Sequence, residues 1–278
     1  MLTAYDFPTA RLCESHDIDL VLVGDSLAQV ALGYDSTTRL KLDEMLHHTK
    51  AVTRGCKTPL VIVDMPFGTY QGSVESTVSN AVKLVQEGGA ESLKLEGGEE
   101  IVPIVSKLTR IGIPIMAHIG LCPQRHTSTS GYKVQGKSAQ AAQQLVRSAY
   151  ALQDAGAHAI VLEAIPASLG SYITSKLDIP TIGIGAGPNT DGQVLVTPDA
   201  LGTWEGHKAK FVRRFADLKT PEDDGVVAFI EAVRSRSFPG EKESYSIADE
   251  EWRRFLELEE LGLQEMTIHA TPRRLVAS

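Results

Sequence analysis

The sequence predicts a closed (β/α)8 barrel, a TIM barrel with additional C-terminal helices, and three observations predict it. Short apolar or β-branched runs ending in Gly, Asp or Pro recur eight times. Amphipathic stretches separate them. The alternation fills roughly the first 200 residues, which calls for βα units, a parallel sheet and enough strands to close it.

The runs are LTAYD near residue 2, DLVLVGD near 19, LVIVDMPF near 60 and ESLKLEGG near 91. They continue with IPIMAHIG near 113, HAIVLEAIP near 158, IPTIGIGAG near 179 and QVLVTPDALG near 193. Segments this apolar suit strands buried on both faces. Between them, TVSNAVKLVQEGGA sets Val78, Ala81, Val82 and Val85 on one helical stripe closed by glycines. AAQQLVRSAYALQDAGA does the same with Leu145, Ala149 and Leu152. GEEIVPIVSKLTRIG and PASLGSYITSKLD supply two more helices, with Pro103 placed in a first turn. Beyond residue 203, HKAKFVRRFADL, DDGVVAFIEAVRSRSFPG and SIADEEWRRFLELEELGL read as amphipathic helices outside the barrel. In the last of these Glu259 interrupts the face of Trp252, Phe255, Leu256 and Leu263, and HATPRRLVAS reads as a loose tail. The expected division is a catalytic barrel over 1–240 and a helical extension with its tail over 241–278.

The glycines of GIGAG at 183–187 come late in the chain, in GxGxG order before Pro188, so they are no dinucleotide fingerprint. An anion loop and a tight turn both account for them. A net charge of −8 over 278 residues speaks against nucleic acid or an anionic membrane as partner. No apolar run is long enough to span a bilayer, and Asp6 and Glu14 break any signal-peptide pattern. Cys13, Cys56 and Cys122 form no CxxC pair, so they read as small core residues in a reducing compartment.

In a barrel, chemistry sits at the carboxyl ends of the strands. Those ends carry Asp6, Asp25, Asp64, Lys94, Glu96, His118, Glu163 and Asp199. Any one acid after a strand is most often a helix cap or a turn residue. Ionisable groups on nearly every strand of one rim favour a site instead. LVLVGDS sharpens the point, because a carboxylate ending so apolar a run must be compensated. Asp25, Asp64 and Glu96 on adjacent strands suit a hard divalent cation such as Mg²⁺ better than zinc. Lys94 beside it would take an anionic substrate group, and Glu163 across the mouth would serve as general base.

These residues lie in motifs that resemble a known family. LTAYD, VGDSL with GYDST, DMPF, KLEGG, AHIGL-PQ, GYKVQGK, LE-IP and IGIGAG follow in the order found in ketopantoate hydroxymethyltransferases, from residue 2 to SFPGE near 240. The resemblance implies transfer of a hydroxymethyl group from 5,10-methylenetetrahydrofolate to α-ketoisovalerate, on the route to pantothenate and coenzyme A. It implies that Asp25, Asp64 and Glu96 hold Mg²⁺, the last through water. With Ser26 and Lys94, Asp25 and Asp64 bind the keto acid. Glu163 accepts the proton and His118 supports the site. A homo-oligomer, a decamer in the family, is implied as well, in the cytoplasm or, for a eukaryotic chain, the mitochondrion. The family carries a helix ahead of LTAYD, whereas this chain opens on the strand; a truncated and a mispredicted N-terminus are the two readings of that difference. Cys122 stands where the family has threonine, and HTSTSGY differs from the family's residues, so the loop over 122–132 is expected to be altered. Two other readings compete. One is a Mg²⁺-dependent lyase of the phosphoenolpyruvate/isocitrate lyase type, which would be expected to carry a KKCGH-like cysteine loop. The other is a barrel that has lost its activity.

Overall fold

Each of the eight apolar runs forms a strand in the computed structural model, which describes residues 1–126, 131 and 133–269. The strands are β1 (Leu2–Thr3), β2 (Leu20–Val23), β3 (Leu60–Asp64) and β4 (Ser92–Glu96), then β5 (Ile115–Gly120), β6 (Ala159–Glu163), β7 (Thr181–Ile184) and β8 (Gly192–Gln193). They pair in chain order, β1 to β8, every pair parallel. Leu2 bridges Leu195, and Thr3 N donates to Leu195 O at 3.3 Å, which closes the sheet. Thr197 secures the seam, its hydroxyl donating to Thr3 O at 2.6 Å.

Alternation along the strands separates two apolar layers. Val21, Val63, Leu93, Leu95 and Ala117 belong to the large cluster shared with the helices. Leu22, Ile62, Met116, Val161, Ile182 and Val194 form a second cluster, the barrel's own filling. Two residues beyond Ile62, Met116 and Val161 come Asp64, His118 and Glu163, on the same inward face. The polar rim is therefore a continuation of the interior packing, one layer higher.

The helices are α1 (Phe7–Ser15), α2 (Leu27–Val30), α3 (Leu42–Gly55), α4 (Val74–Gln86) and α5 (Val102–Arg110). They continue as α6 (Ala139–Asp154), α7 (Ala167–Thr174), α8 (Thr197–Leu201), α9 (Lys219–Arg234) and α10 (Asp249–His269). Ser73 and Ser138 cap α4 and α6 by accepting from the backbone of Ser76 and Ala141. Pro103 falls in the first turn of α5, as expected. The stripe on α4 is turned from the expected one: Thr77, Ala81 and Leu84 are buried, while Val78, Val82 and Val85 are half-buried. Leu84 is the larger anchor, and the helix rotates to seat it.

One expected helix does not form. Residues 207–218 are irregular because their backbone finds partners outside the segment. Phe215 N donates to Ala200 O at 2.7 Å and Leu218 N to Leu201 O at 3.1 Å. These are carbonyls at the C-terminal end of α8, which lack partners within their own helix. The chain divides into two compact units, 1–219 and 220–278. In the second, Trp252 and Phe255 of α10 stack with ring centroids 5.1 Å apart. The stretch expected as a loose tail lies outside the described residues beyond His269.

Candidate active site

Seven of the eight strand-end residues line one cavity of ≈600 Å³ at the mouth of the barrel. Asp6 is the exception. It is exposed and caps α1, accepting from Thr9 N at 2.8 Å while Thr9 answers its backbone N–H. For that acid the cap was the whole explanation.

Five of the others are buried. Asp25, Asp64, Lys94, Glu96 and His118 are all between 1% and 5% exposed, a burial that charged groups tolerate only with partners. Lys94 Nζ stands 3.0 Å from Asp64 Oδ1 and 3.9 Å from Glu96 Oε1. Its approach to Asp64 is off the direction of a hydrogen bond, so Oδ1 accepts none. Asp64 Oδ2 accepts from the backbone N of Asp25 at 2.8 Å, tying the ends of β2 and β3 together. Burial opposes the charge on Lys94, but Asp64, Glu96 and Asp25 outweigh it and hold the ammonium above its ordinary pKa.

His118 carries one proton, and its neighbours fix which nitrogen holds it. Lys94 Nζ donates to Nδ1 at 3.1 Å, so the ring hydrogen sits on Nε2. Burial first, then Lys94, lower the histidine's pKa and keep it neutral. Nε2 lies 3.2 Å from Glu163 Oε2, close but short of hydrogen-bond alignment. Glu163 ends β6 and is more open to the cavity than its neighbours, at 13% exposure of its side chain. Two backbone features hold it there. Gly120, paired with it across β5 and β6, has φ +96°, and a Cβ there would meet Glu163 O at 2.2 Å. Ala164, the next residue, has φ +47°, a strained conformation for alanine, of order 1–3 kcal/mol, of the kind that persists at functional sites.

Sequence reading missed Gln124, Tyr70 and Tyr5. Gln124 Nε2 donates to Asp25 Oδ2 at 2.9 Å and to Met65 O at 3.0 Å, while its backbone N donates to Glu96 Oε2 at 3.0 Å. Tyr70 donates to Gln124 Oε1 at 2.7 Å. Gln124 thus splints two carboxyls from strands that are not neighbours, Asp25 through its side-chain amide and Glu96 through its backbone N–H. Its only signal in the sequence is its place in the LCPQ turn after β5. Tyr5 and Ser26 share a hydrogen bond of 2.7 Å beside Asp25. Cys122 is buried below this turn, where burial and then Glu96 keep the thiol neutral. Residues 127–130 and 132, the rest of the loop expected to be altered, lie outside the described residues.

Charge does not balance here. Asp25, Asp64, Glu96 and Glu163 share one buried ammonium, that of Lys94, because His118 is neutral. Burial, and then the Asp64 carboxylate, push the pKa of Asp25 up to about 7 against the pull of Lys94 and Gln124. Burial and then Asp25 raise that of Glu96 well above the carboxylate range. Such a site takes up protons or a cation. Among the described residues, no three His, Cys, Asp or Glu side chains converge as a closed metal cage. Glu96 explains the shortfall: one oxygen is taken by Gln124 N, and the other faces Lys94 and His118. Asp25 and Asp64 remain. Two carboxylates completed by waters and substrate oxygens are the usual protein share for Mg²⁺.

The model of one protein family, ketopantoate hydroxymethyltransferase, matches residues 1–241. The chain belongs to this family. Relatives named 3-methyl-2-oxobutanoate hydroxymethyltransferase bear this out. That of Carboxydothermus hydrogenoformans is 50% identical over 250 residues, covering 90% of this chain and 91% of its own. That of Lysinibacillus sphaericus is 47% identical, covering 90% of each. Among solved structures, 2,3-dimethylmalate lyase matches with TM-score 0.55 and 16% identity, over 96% of this chain and 92% of its own. A phosphonopyruvate hydrolase in complex with oxalate and Mg²⁺ also scores 0.55, at 15% identity over 94% and 93%. At such identity these two establish the barrel fold. The family accounts for the rim: Asp25, Asp64, Lys94, Glu96, His118 and Glu163, carried by separate motifs, meet within one cavity. No helix among the described residues is long and apolar enough to cross a membrane.

Proposed function

We propose that the barrel transfers a hydroxymethyl group from 5,10-methylenetetrahydrofolate to α-ketoisovalerate, giving ketopantoate and tetrahydrofolate for pantothenate and coenzyme A synthesis. The observation that carries this reading is the buried charge imbalance: four carboxyls sharing one buried ammonium at a rim built by the family's motifs. Asp64 Oδ1, which meets Lys94 at 3.0 Å but accepts no aligned hydrogen bond, and the raised pKa of Asp25 fit a bound divalent cation. Asp25 and Asp64 would hold Mg²⁺ directly and Glu96 through water. When bound, Mg²⁺ supplies a Lewis acid for the keto oxygen and carboxylate of the substrate.

The chain's own residues do the rest. Lys94 offers its ammonium to the substrate carboxylate, and Ser26, positioned by Tyr5, offers a hydroxyl. Glu163 takes the C3 proton into the open part of the cavity. His118 is a positioning residue: neutral, with Nε2–H turned toward Glu163, it steadies the carboxylate without competing for the proton. Water adds to the methylene carbon of the ring-opened folate and its carbon–nitrogen bond breaks, giving tetrahydrofolate and formaldehyde; the carbanion equivalent at C3 then adds to the formaldehyde carbon, whose protonated oxygen is the new hydroxyl. The lyase reading is weaker, because no KKCGH-like cysteine loop is present and the family match is to the transferase. The intact rim argues against a lost activity. Within this reading the catalytic domain runs over 1–240, and the extension 241–278 follows it in the chain. The protein assembles with copies of itself as a decamer, in the cytoplasm or, in a eukaryote, the mitochondrion.

Deuterium exchange at C3 of α-ketoisovalerate tests the proposal. We expect Mg²⁺-dependent exchange in the wild-type protein. Glu163→Gln should slow it about 10²- to 10⁴-fold, the usual contribution of a general base, while keto acid binding survives. Exchange at the wild-type rate in that variant would move the base elsewhere.

A further inference from the structure

The acidic side of the cavity accounts for a five-carbon keto acid, and a cavity of ≈600 Å³ is of the size that holds a drug-sized ligand. The opposite wall, from the ends of β7 and β8 and the irregular segment after α8, is lined by Asp199, Trp204, Phe211 and Val196. Nothing in the proton transfer uses them. Phe211 is firmly placed: Gly185, at φ +67°, lets the ring rest on the end of β7, where a Cβ would come within 2.7 Å. Asp199 is half-buried and makes neither a hydrogen bond nor an ion pair with the described residues. Arg214, whose charge pulls the pKa of Asp199 down against burial, donates instead to Trp204 O at 3.0 Å. Burial raises the pKa of Asp199. A carboxylate without a partner, on a cavity wall it shares with two aromatic side chains, calls for a flat ligand carrying paired N–H donors.

We propose that Asp199 receives the 2-amino and ring N–H groups of the folate's pterin, with Trp204 and Phe211 as its apolar walls. The inference rests on the folate reading above and adds where the pterin binds and which way it points. The two parallel donors on the amino-pyrimidine edge match the two oxygens of one carboxylate, a bidentate arrangement with its own direction. Charge fixes the other end. The glutamate tail is anionic and is repelled by Asp199, while Lys133 and Lys210 line the outer part of the cavity and are exposed. The pterin therefore lies inward and the tail outward.

A competing role for Asp199 is purely local, an acid in the first turn of α8 favoured by the helix dipole. Fluorescence separates the two. The chain has two tryptophans, so Trp252→Phe leaves Trp204 as the only reporter, at the cavity wall. In that background, tetrahydrofolate should quench Trp204 emission. Adding Asp199→Asn should weaken the tetrahydrofolate Kd about tenfold or more, the loss of a charge-assisted pair. Asp199→Glu should recover part of it. Tetrahydropterin without the tail should follow the same pattern, p-aminobenzoylglutamate should not, and α-ketoisovalerate binding by calorimetry should be equal in all variants. A tetrahydrofolate Kd unchanged by Asp199→Asn, or a loss confined to p-aminobenzoylglutamate, would overturn the assignment. A wild-type protein that binds keto acid but no tetrahydrofolate would overturn the folate reading and the inference with it.

Discussion

The two sides of the barrel mouth are built on opposite plans. From β2 to β6, polar groups are buried and tied to one another: Lys94 to Asp64 and His118, Gln124 to Asp25 and Glu96, Asp25 N to Asp64. From β7 onward the wall is mostly aromatic and aliphatic, with the unpaired Asp199, with His207 and Lys210 toward its exposed part, and with a backbone that leaves regular structure after α8. The difference separates two tasks. Charge chemistry needs groups fixed before the substrate arrives, because reorganising buried charges in the transition state is costly. Recognition of a large flat ligand needs area and one directional contact. A single mouth does both by assigning them to different strands.

The largest effect that would break this contrast is expected at Asp64. Asp64→Ala removes the oxygen that lacks a hydrogen bond and the acceptor for Asp25 N. We expect Mg²⁺-dependent turnover to fall well beyond the about 10- to 100-fold typical of residues that only support metal ligands. Full activity in this variant would show that the acidic side is structural. Thermal melting should confirm that the barrel persists.

Lys94→Ala comes next, and its effect falls on both binding and stability. The substrate carboxylate loses its counter-charge, so keto acid KM should rise more than kcat falls. Stability should drop by about 3 kcal/mol in the absence of Mg²⁺, the usual cost of stripping one partner from a buried ion pair. Its sign with pH is opposite to ordinary acid unfolding. The carboxyls left behind are uncharged when protonated, so the deficit should shrink as pH falls toward 5. Denaturation at pH 5 and pH 8 checks this; equal losses at both would place the Asp64–Lys94 pair outside the stability of the rim.

The acidic side was largely legible in the sequence, and the other side was not, for a physical reason. Strands ending in Asp, Lys, Glu and His announce themselves, because such groups are expensive at the end of an apolar run and period-two alternation says which way they face. Asp6 shows the limit, since an exposed cap and a buried ligand look alike in one dimension. Gln124 and Tyr70 are uncharged, so nothing local marks them; their role exists only once β4 and β5 bring the LCPQ turn over Asp25. The segment 207–218 has helix-like periodicity, but its backbone bonds to Ala200 and Leu201, a tertiary choice that no local pattern encodes. Asp199 was legible as a strand-end acid, though not as one without a partner.

That missing partner gives the smallest and sharpest test. On the locked side, removing a charged group should destabilise; at Asp199 the opposite sign is expected. Its folded pKa is raised, so between the unfolded value near 3.9 and the folded one the native state holds the extra proton. Stability therefore declines as pH rises through that window, and the penalty is complete above the folded pKa. Asp199→Asn keeps the shape and removes the charge, so it should leave Tm unchanged below pH 4 and raise it slightly at pH 7. The group is half-exposed and α8 is a single short helix, so solvent screening and the dipole both trim the gain, to about 2 °C or less. A lowered Tm at pH 7 would mean that Asp199 earns its place by capping α8. A raised Tm together with weakened tetrahydrofolate binding would mark it as a residue kept for its ligand at the fold's expense.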